Sequence, residues 1–142
     1  MSLPGEIDVE ARVARAHELH EHGHNCAQSV ACACADLVGL DPLAAFRMTE
    51  GFGYGMGGMT ETCGAVVAGV AVLAYSKSEG PANPKTKAVS GKLARELTAR
   101  FREQNGSTIC GELKGVGGAP MLRSCHDCVE DAMRLTLELL SR

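Results

Sequence analysis

Apolar positions recur at three- and four-residue intervals along most of this chain, the spacing that lays one helix face against a core. Val9, Val13, Ala16 and Leu19 mark a first helix over about Asp8–His22, ended by Gly23. A second begins almost at once. Asn25 caps it, Gln28 completes a capping box, and Val30, Cys34, Leu37 and Val38 form its buried face before Gly39 closes it. Asp41-Pro42 opens a short third helix, since proline at the first helical position forfeits no internal hydrogen bond. A glycine-rich loop, Gly51–Met59, follows. The run from Cys63 to Tyr75 is apolar on every side and predicts a central buried helix over 63–78.

Gly80-Pro81 breaks the chain. Asn83-Pro84 then starts a longer amphipathic helix bearing Val89, Leu93, Leu97 and Phe101, stopped by Asn105-Gly106. An irregular stretch holds Cys110, Gly115, Gly117, Gly118 and Pro120. Ser124 caps a last helix with Val129, Met133, Thr136 and Leu140 inward and Leu139 at the edge of that face. No segment alternates with period two. The expected fold is all-α, a compact single-domain bundle of about six helices around helix 63–78. It spans 1–142, with residues 1–7 flexible.

Composition sharpens this picture. Apolar residues are 45% of the 142 and aromatics only 4%, so alanine, valine and leucine must fill the interior. That suits closely packed helices. The net charge is −3 with both signs mixed, and no basic stripe with interleaved aromatics is present, which argues against nucleic acid as a partner. Met1-Ser2-Leu3-Pro4-Gly5 lacks the layout of a signal peptide. The longest apolar run falls short of the roughly 20 residues that span a bilayer. The expected location is the cytoplasm, without membrane insertion. There ordinary disulfides stay reduced, so seven cysteines read as free thiols, metal ligands or redox partners.

Four of those cysteines follow capping residues: Asn25-Cys26, Thr62-Cys63, Thr108-Ile109-Cys110 and Ser124-Cys125. A thiol in the first helical turn sees the positive end of the dipole, which favours thiolate and lowers its pKa toward 7. Cys26, Cys63, Cys110 and Cys125 are therefore the candidate redox thiols and candidate metal ligands. Cys34 fits a core position. Cys32 shares a more polar face with Gln28, Ser29 and Asp36 and reads as incidental or as a peripheral thiol. Cys125-His126-Asp127-Cys128 has the C-x-x-C spacing of an exchange pair, but no βαβ unit surrounds it, so Cys128 reads as a support to Cys125.

Gly53, Gly55 and Gly58 match G-x-G-x-x-G formally, yet a helix precedes them where a dinucleotide fingerprint needs a strand. The loop is better read as bare backbone brought close to Cys63, with Gly55, Gly57, Gly58 and Gly64 lying against the site. His17, His20 and His24 recur at three- and four-residue spacing, which is open to a divalent metal, although a solvated polar face is the simpler reading.

Gly23-His24-Asn25-Cys26-Ala27-Gln28-Ser29-Val30, the glycine loop, Glu61-Thr62-Cys63-Gly64-Ala65, Cys110-Gly111-Glu112-Leu113 and Cys125 with Val129 together resemble a bacterial and archaeal redox-active protein family. It is defined by a cysteine, a CGAxxG motif and two later cysteines. The resemblance runs from about residue 10 to 140 and maps onto Cys26, Cys63, Cys110 and Cys125. It departs at Ala68, where the family pattern has glycine; Gly69 stands one place later. A similar domain in split-Soret cytochromes goes with an iron–sulfur centre.

The leading expectation is electron transfer through an iron–sulfur cluster, 2Fe–2S in type, held by the four thiolates. Its charge of about −2 would be offset by four helix N-termini at roughly +0.5 each, and glycine-loop amides would tune it. The alternatives are thiol–disulfide exchange or redox sensing without a cofactor, two cysteines oxidising and two relaying, and a structural zinc site. An unidentified redox protein is the expected partner, and the alanine- and glycine-rich central helix offers a face for a homodimer.

Overall fold

A computed structural model describes residues 6–142, and all of its regular structure is helical. The helices are α1 (Val9–Glu21), α2 (Cys26–Val38), α3 (Pro42–Thr49), α4 (Gly64–Lys77), α5 (Lys87–Asn105), α6 (Cys110–Lys114) and α7 (Cys125–Leu140). Short 3-10 turns over Glu50–Phe52 and Pro84–Thr86 extend α3 and lead into α5. The all-α class is as the periodicity predicts. One helix more than expected is present, because α6 forms in the stretch read as irregular. Most of the expected flexible segment 1–7 lies outside the described residues, while Ile7 packs against the core.

Capping chemistry sets most boundaries. Asp8 accepts from the Ala11 amide, Asp41 from Ala44, and Ser124 from Asp127. The capping box of Asn25 and Gln28 closes in both directions. Gly39 and Gly106 end α2 and α5 in the left-handed conformation, as glycine allows at that position.

α2 and α4 share the centre of the bundle. In α2 every residue except Cys32 and Asp36 is buried, and α4 buries Gly64, Ala65, Val66, Ala68, Gly69, Val72 and Leu73 while leaving Ala71 and Tyr75 exposed. α2 and α4 pack on one another, with α1 and α7 over α2, α5 and α7 beside α4, and α3 on the far side of α2. The small side chains of Ala27, Ala31, Ala33 and Ala35 let neighbours approach α2 from several directions. Val89 is 49% exposed rather than inward, and only Leu97 and Phe101 of α5 are fully buried.

Gly69 serves the close packing for which the family pattern has glycine at position 68. A methyl group there would stand 2.4 Å from Thr136 Oγ1 on α7 and 2.9 Å from Leu97 Cδ2 on α5. Ala68 is itself fully buried without difficulty. Gly69→Ala should therefore destabilise the fold by about 1–2 kcal/mol, overpacking outweighing the better helix propensity of alanine. Urea denaturation measures this; equal or greater stability in the variant would show that α4, α5 and α7 are less tightly packed than described.

Candidate functional site

Cys26 and Cys125 are the first residues of α2 and α7, behind Asn25 and Ser124 as expected. The other two start points differ. Cys63 is itself the N-cap of α4, while Thr62 joins Ile109 in an isolated antiparallel bridge. Cys110 begins α6 behind Ile109, not behind a Thr108 cap. That bridge places the two cysteines side by side: the Cys63 amide donates to Thr108 O at 2.7 Å, and the Cys110 amide to Glu61 O at 2.9 Å.

Asn25 holds a second junction. Its Oδ1 caps α2 while its Nδ2 donates to Glu50 O at 2.9 Å, which ties the start of the glycine loop to the start of α2. Gly53 fits directly beneath that side chain, where a Cβ would come within 2.6 Å of Asn25 Nδ2. The loop then turns through left-handed conformations at Tyr54, Gly55, Met56 and Gly57. Its backbone at Tyr54 lies beside Cys26 and favours the thiolate there. The expected neighbour was Cys63, beside which stands the backbone of Ala65 in its own helix.

The glycines assigned to the site divide. A Cβ on Gly64 would lie 2.8 Å from Cys26 Sγ, and one on Gly55 would lie 2.5 Å from Cys110 Cβ. Side chains at Gly57 and Gly58 would meet open space or only Thr60. The first two press against the sulfur site; the second two have no such contact.

All seven cysteines are free thiols. Four thiols are neighbours: Cys125 beside Cys26, Cys26 beside Cys63, and Cys63 beside Cys128, with Cys125 and Cys128 on the first turn of α7. Cys128, read from the sequence as a support to Cys125, has Cys63 as its thiol neighbour. Cys110 is adjacent, sensing the charge of Cys125. Cys26, Cys63 and Cys128 are buried and Cys125 is partly open. Cys34 is isolated in the core against Met133. Cys32 stands apart, half-buried, its nearest polar contact Pro42 O.

Contrary to the helix-dipole argument, these thiols hold their protons. The Cys128 thiol, burial and the charge of Cys128 push Cys63 up to about 12. Cys125 is raised by Cys26 and by burial, against the opposing pull of Lys114 and His20. In Cys26 the lowering effect of Cys125 is outweighed by Cys63 and desolvation. Burial likewise raises Cys110, with Lys114 opposing. Removing solvent and packing like groups together outweighs the dipole of each helix start.

Two residues that sequence reasoning missed border this group. Lys114, the last residue of α6, reaches Cys125 and senses Cys110 and Cys63, and these sulfurs raise its pKa against the effect of burial. The only signal for it was its position four residues after Cys110. His126 stacks on His17 with ring centroids 3.8 Å apart and lies 5.9 Å from His20. The histidine run is therefore not wholly solvated. His17 Nε2 pairs with Glu130 Oε1 at 2.9 Å, His20 Nε2 lies 3.7 Å from Cys125 Sγ, and His24 meets Phe46 edge-on. Among the described residues no three His, Cys, Asp or Glu side chains converge as one metal ion would require.

The all-α bundle brings Cys26, Cys63, Cys125 and Cys128 together from the starts of α2, α4 and α7. The chain belongs to the family described as "Putative redox-active protein (C_GCAxxG_C_C)", whose model matches residues 24–139. It is a redox-active protein of that family. No curated protein and no solved structure matches it. No helix among the described residues is long and apolar enough to cross a membrane.

The raised thiol pKa values carry a stability consequence of defined sign. Between the pKa of an unfolded cysteine, about 8.5, and that of folded Cys63, about 12, the folded state binds more protons. This contribution is complete below the unfolded value and is lost as pH rises through the folded one, at up to about 1.4 kcal/mol per pH unit for each thiol. Thermal melts of the reduced protein should fall more steeply above pH ~9 than those of Cys63→Ser. Parallel curves for the two would show that Cys63 ionises normally.

Proposed function

We propose that the chain is a thiol–disulfide redox protein whose electrons enter and leave at Cys125 and are stored along Cys125, Cys26, Cys63 and Cys128. The observation that supports this reading is the grouping of four neighbouring thiols, of which Cys125 is partly open. Oxidation of one neighbouring pair releases two protons and two electrons and makes one disulfide, and the electrons pass to a disulfide of the partner. Exchange through Cys26 and Cys63 can then move oxidation inward. Four thiols hold four electrons and release them as two disulfides form, Cys26–Cys125 and Cys63–Cys128.

The raised pKa values favour a reductant. A dithiol that gains nothing from thiolate formation has a reduced state without extra stabilisation, the opposite of the arrangement that makes a strong oxidant. Its attack is correspondingly slow at neutral pH, with Lys114 and His20 beside Cys125 acting to recover some thiolate there.

A second reading, a cluster-binding form of the same site, is favoured by the backbone of Tyr54 and Ala65, which lies beside Cys26 and Cys63 and favours their thiolates. Amide donors to sulfur set the potential of sulfur-bound iron. This reading requires the sulfurs to turn into a common ligand set.

Anaerobic purification, iron assay and peptide mapping after titration in a thiol–disulfide buffer test both. The exchange reading predicts a metal-free protein that forms Cys26–Cys125 and Cys63–Cys128, with Cys34 remaining a thiol and Cys34→Ser unchanged in redox behaviour. Near-stoichiometric iron with visible absorption would overturn exchange in favour of the cluster. Oxidation confined to Cys32 or Cys34 would overturn both.

A further inference from the structure

A cavity of about 440 Å³ opens onto the two outer thiols. Its wall includes Cys26, Cys125, His20, His24, Tyr54 and Lys114, and it carries no carboxylate. The volume is in the range of small-molecule sites. At its lip Tyr54 is 60% exposed, held there by the left-handed turn of the glycine loop. The other thiols of the group do not line it, so a molecule in this space meets Cys125 and Cys26 and nothing else that can exchange.

The charge of the wall has one sign. Lys114 is its only permanent ion, and among the described residues no carboxylate pairs with it; its partners are sulfurs. The N-termini of α2 and α7 end in this wall at Cys26 and Cys125, against two opposing helix ends, that of α1 near Gly23 and that of the short α6 at Lys114. The helix ends offset one another in number, and the ammonium group of Lys114 leaves the wall positive. The molecule as a whole carries net charge −3, so this basic recess runs against its background.

We infer that the cavity selects small anionic disulfides, carboxylated ones in particular, which Lys114 draws against Cys125. This rests on the exchange reading above and adds its substrate class. The thiolate of Cys125 attacks one substrate sulfur, breaking the substrate S–S bond to give a mixed disulfide and a small thiolate that takes a proton from water. Cys26 then gives its proton to water and attacks Cys125 Sγ. The Cys26–Cys125 bond forms as the second small thiolate leaves and is protonated. Two protein thiols and one small disulfide become one protein disulfide and two small thiols, with two electrons passing to the substrate.

A matched series tests the charge rule: dithiodiglycolate, 2-hydroxyethyl disulfide and cystamine, which are anionic, neutral and cationic. Each rate with the full reduced chain is divided by the rate of the same disulfide with 2-mercaptoethanol, and the protein product is mapped. Dithiodiglycolate should exceed cystamine by at least about tenfold, with the neutral compound between. Lys114→Arg should keep that ratio and Lys114→Gln should bring it near unity; raising the salt should compress it. Because all three compounds meet the same thiolate, the ratio is insensitive to any change in the ionisation of Cys125 itself. Equal normalised rates, or an unchanged ratio in Lys114→Gln, with Cys26–Cys125 still formed, would overturn the anion selection and leave exchange standing. Products lacking Cys26–Cys125 would overturn both.

Discussion

Packing thiols side by side in a dry interior makes each proton costly to remove, and the chemistry of this molecule follows from that constraint. A lone buried thiol such as Cys34 is raised to about 12 chiefly by desolvation, with Arg12 opposing and Asp36 adding, while Cys63 reaches the same value mainly through its neighbour Cys128. No second thiol stands beside the first, whereas the second has thiol neighbours in Cys26 and Cys128.

What keeps the group together is mostly main chain. The paired amides of Cys63 and Cys110 fix two distant stretches against each other, and Asn25 ties the glycine loop to the start of α2. Gly64 and Gly55 are needed because sulfur or its Cβ occupies the space a side chain would take. Gln28 adds a tie to α3 through Phe46 O, and the Leu113 carbonyl accepts from Leu122 and Arg123, which joins α6 to the approach of α7. The segments that carry sulfur are thus hydrogen-bonded to one another, while the alanine-rich core behind them supplies the stability.

Local chemistry made the helices legible: Asp8, Asn25, Asp41 and Ser124 mark starts through their own hydrogen bonds, and Gly39 and Gly106 mark ends. The all-α class followed from these. The apolar run of α4 also marked a central helix; that α2 shares the centre was less legible, because its alanine faces carry little hydrophobic signal yet let neighbours come close. In the site, Cys26, Cys63 and Cys125 are neighbours, as the capping pattern and the family resemblance both implied. The place of Cys128 could not be read from its C-x-x-C spacing, which pairs it with Cys125 on one helix; its thiol neighbour is Cys63 on another. Nor could a dipole argument foresee that burial would win at every one of these helix starts.

A crystal structure of the anaerobically reduced protein would test the central claim most directly. The account predicts the sulfurs of Cys125, Cys26, Cys63 and Cys128 as successive neighbours within hydrogen-bonding reach, with Cys110 beside them. A map in which Cys128 turns away and Cys110 closes a four-sulfur cage with the other three would contradict it.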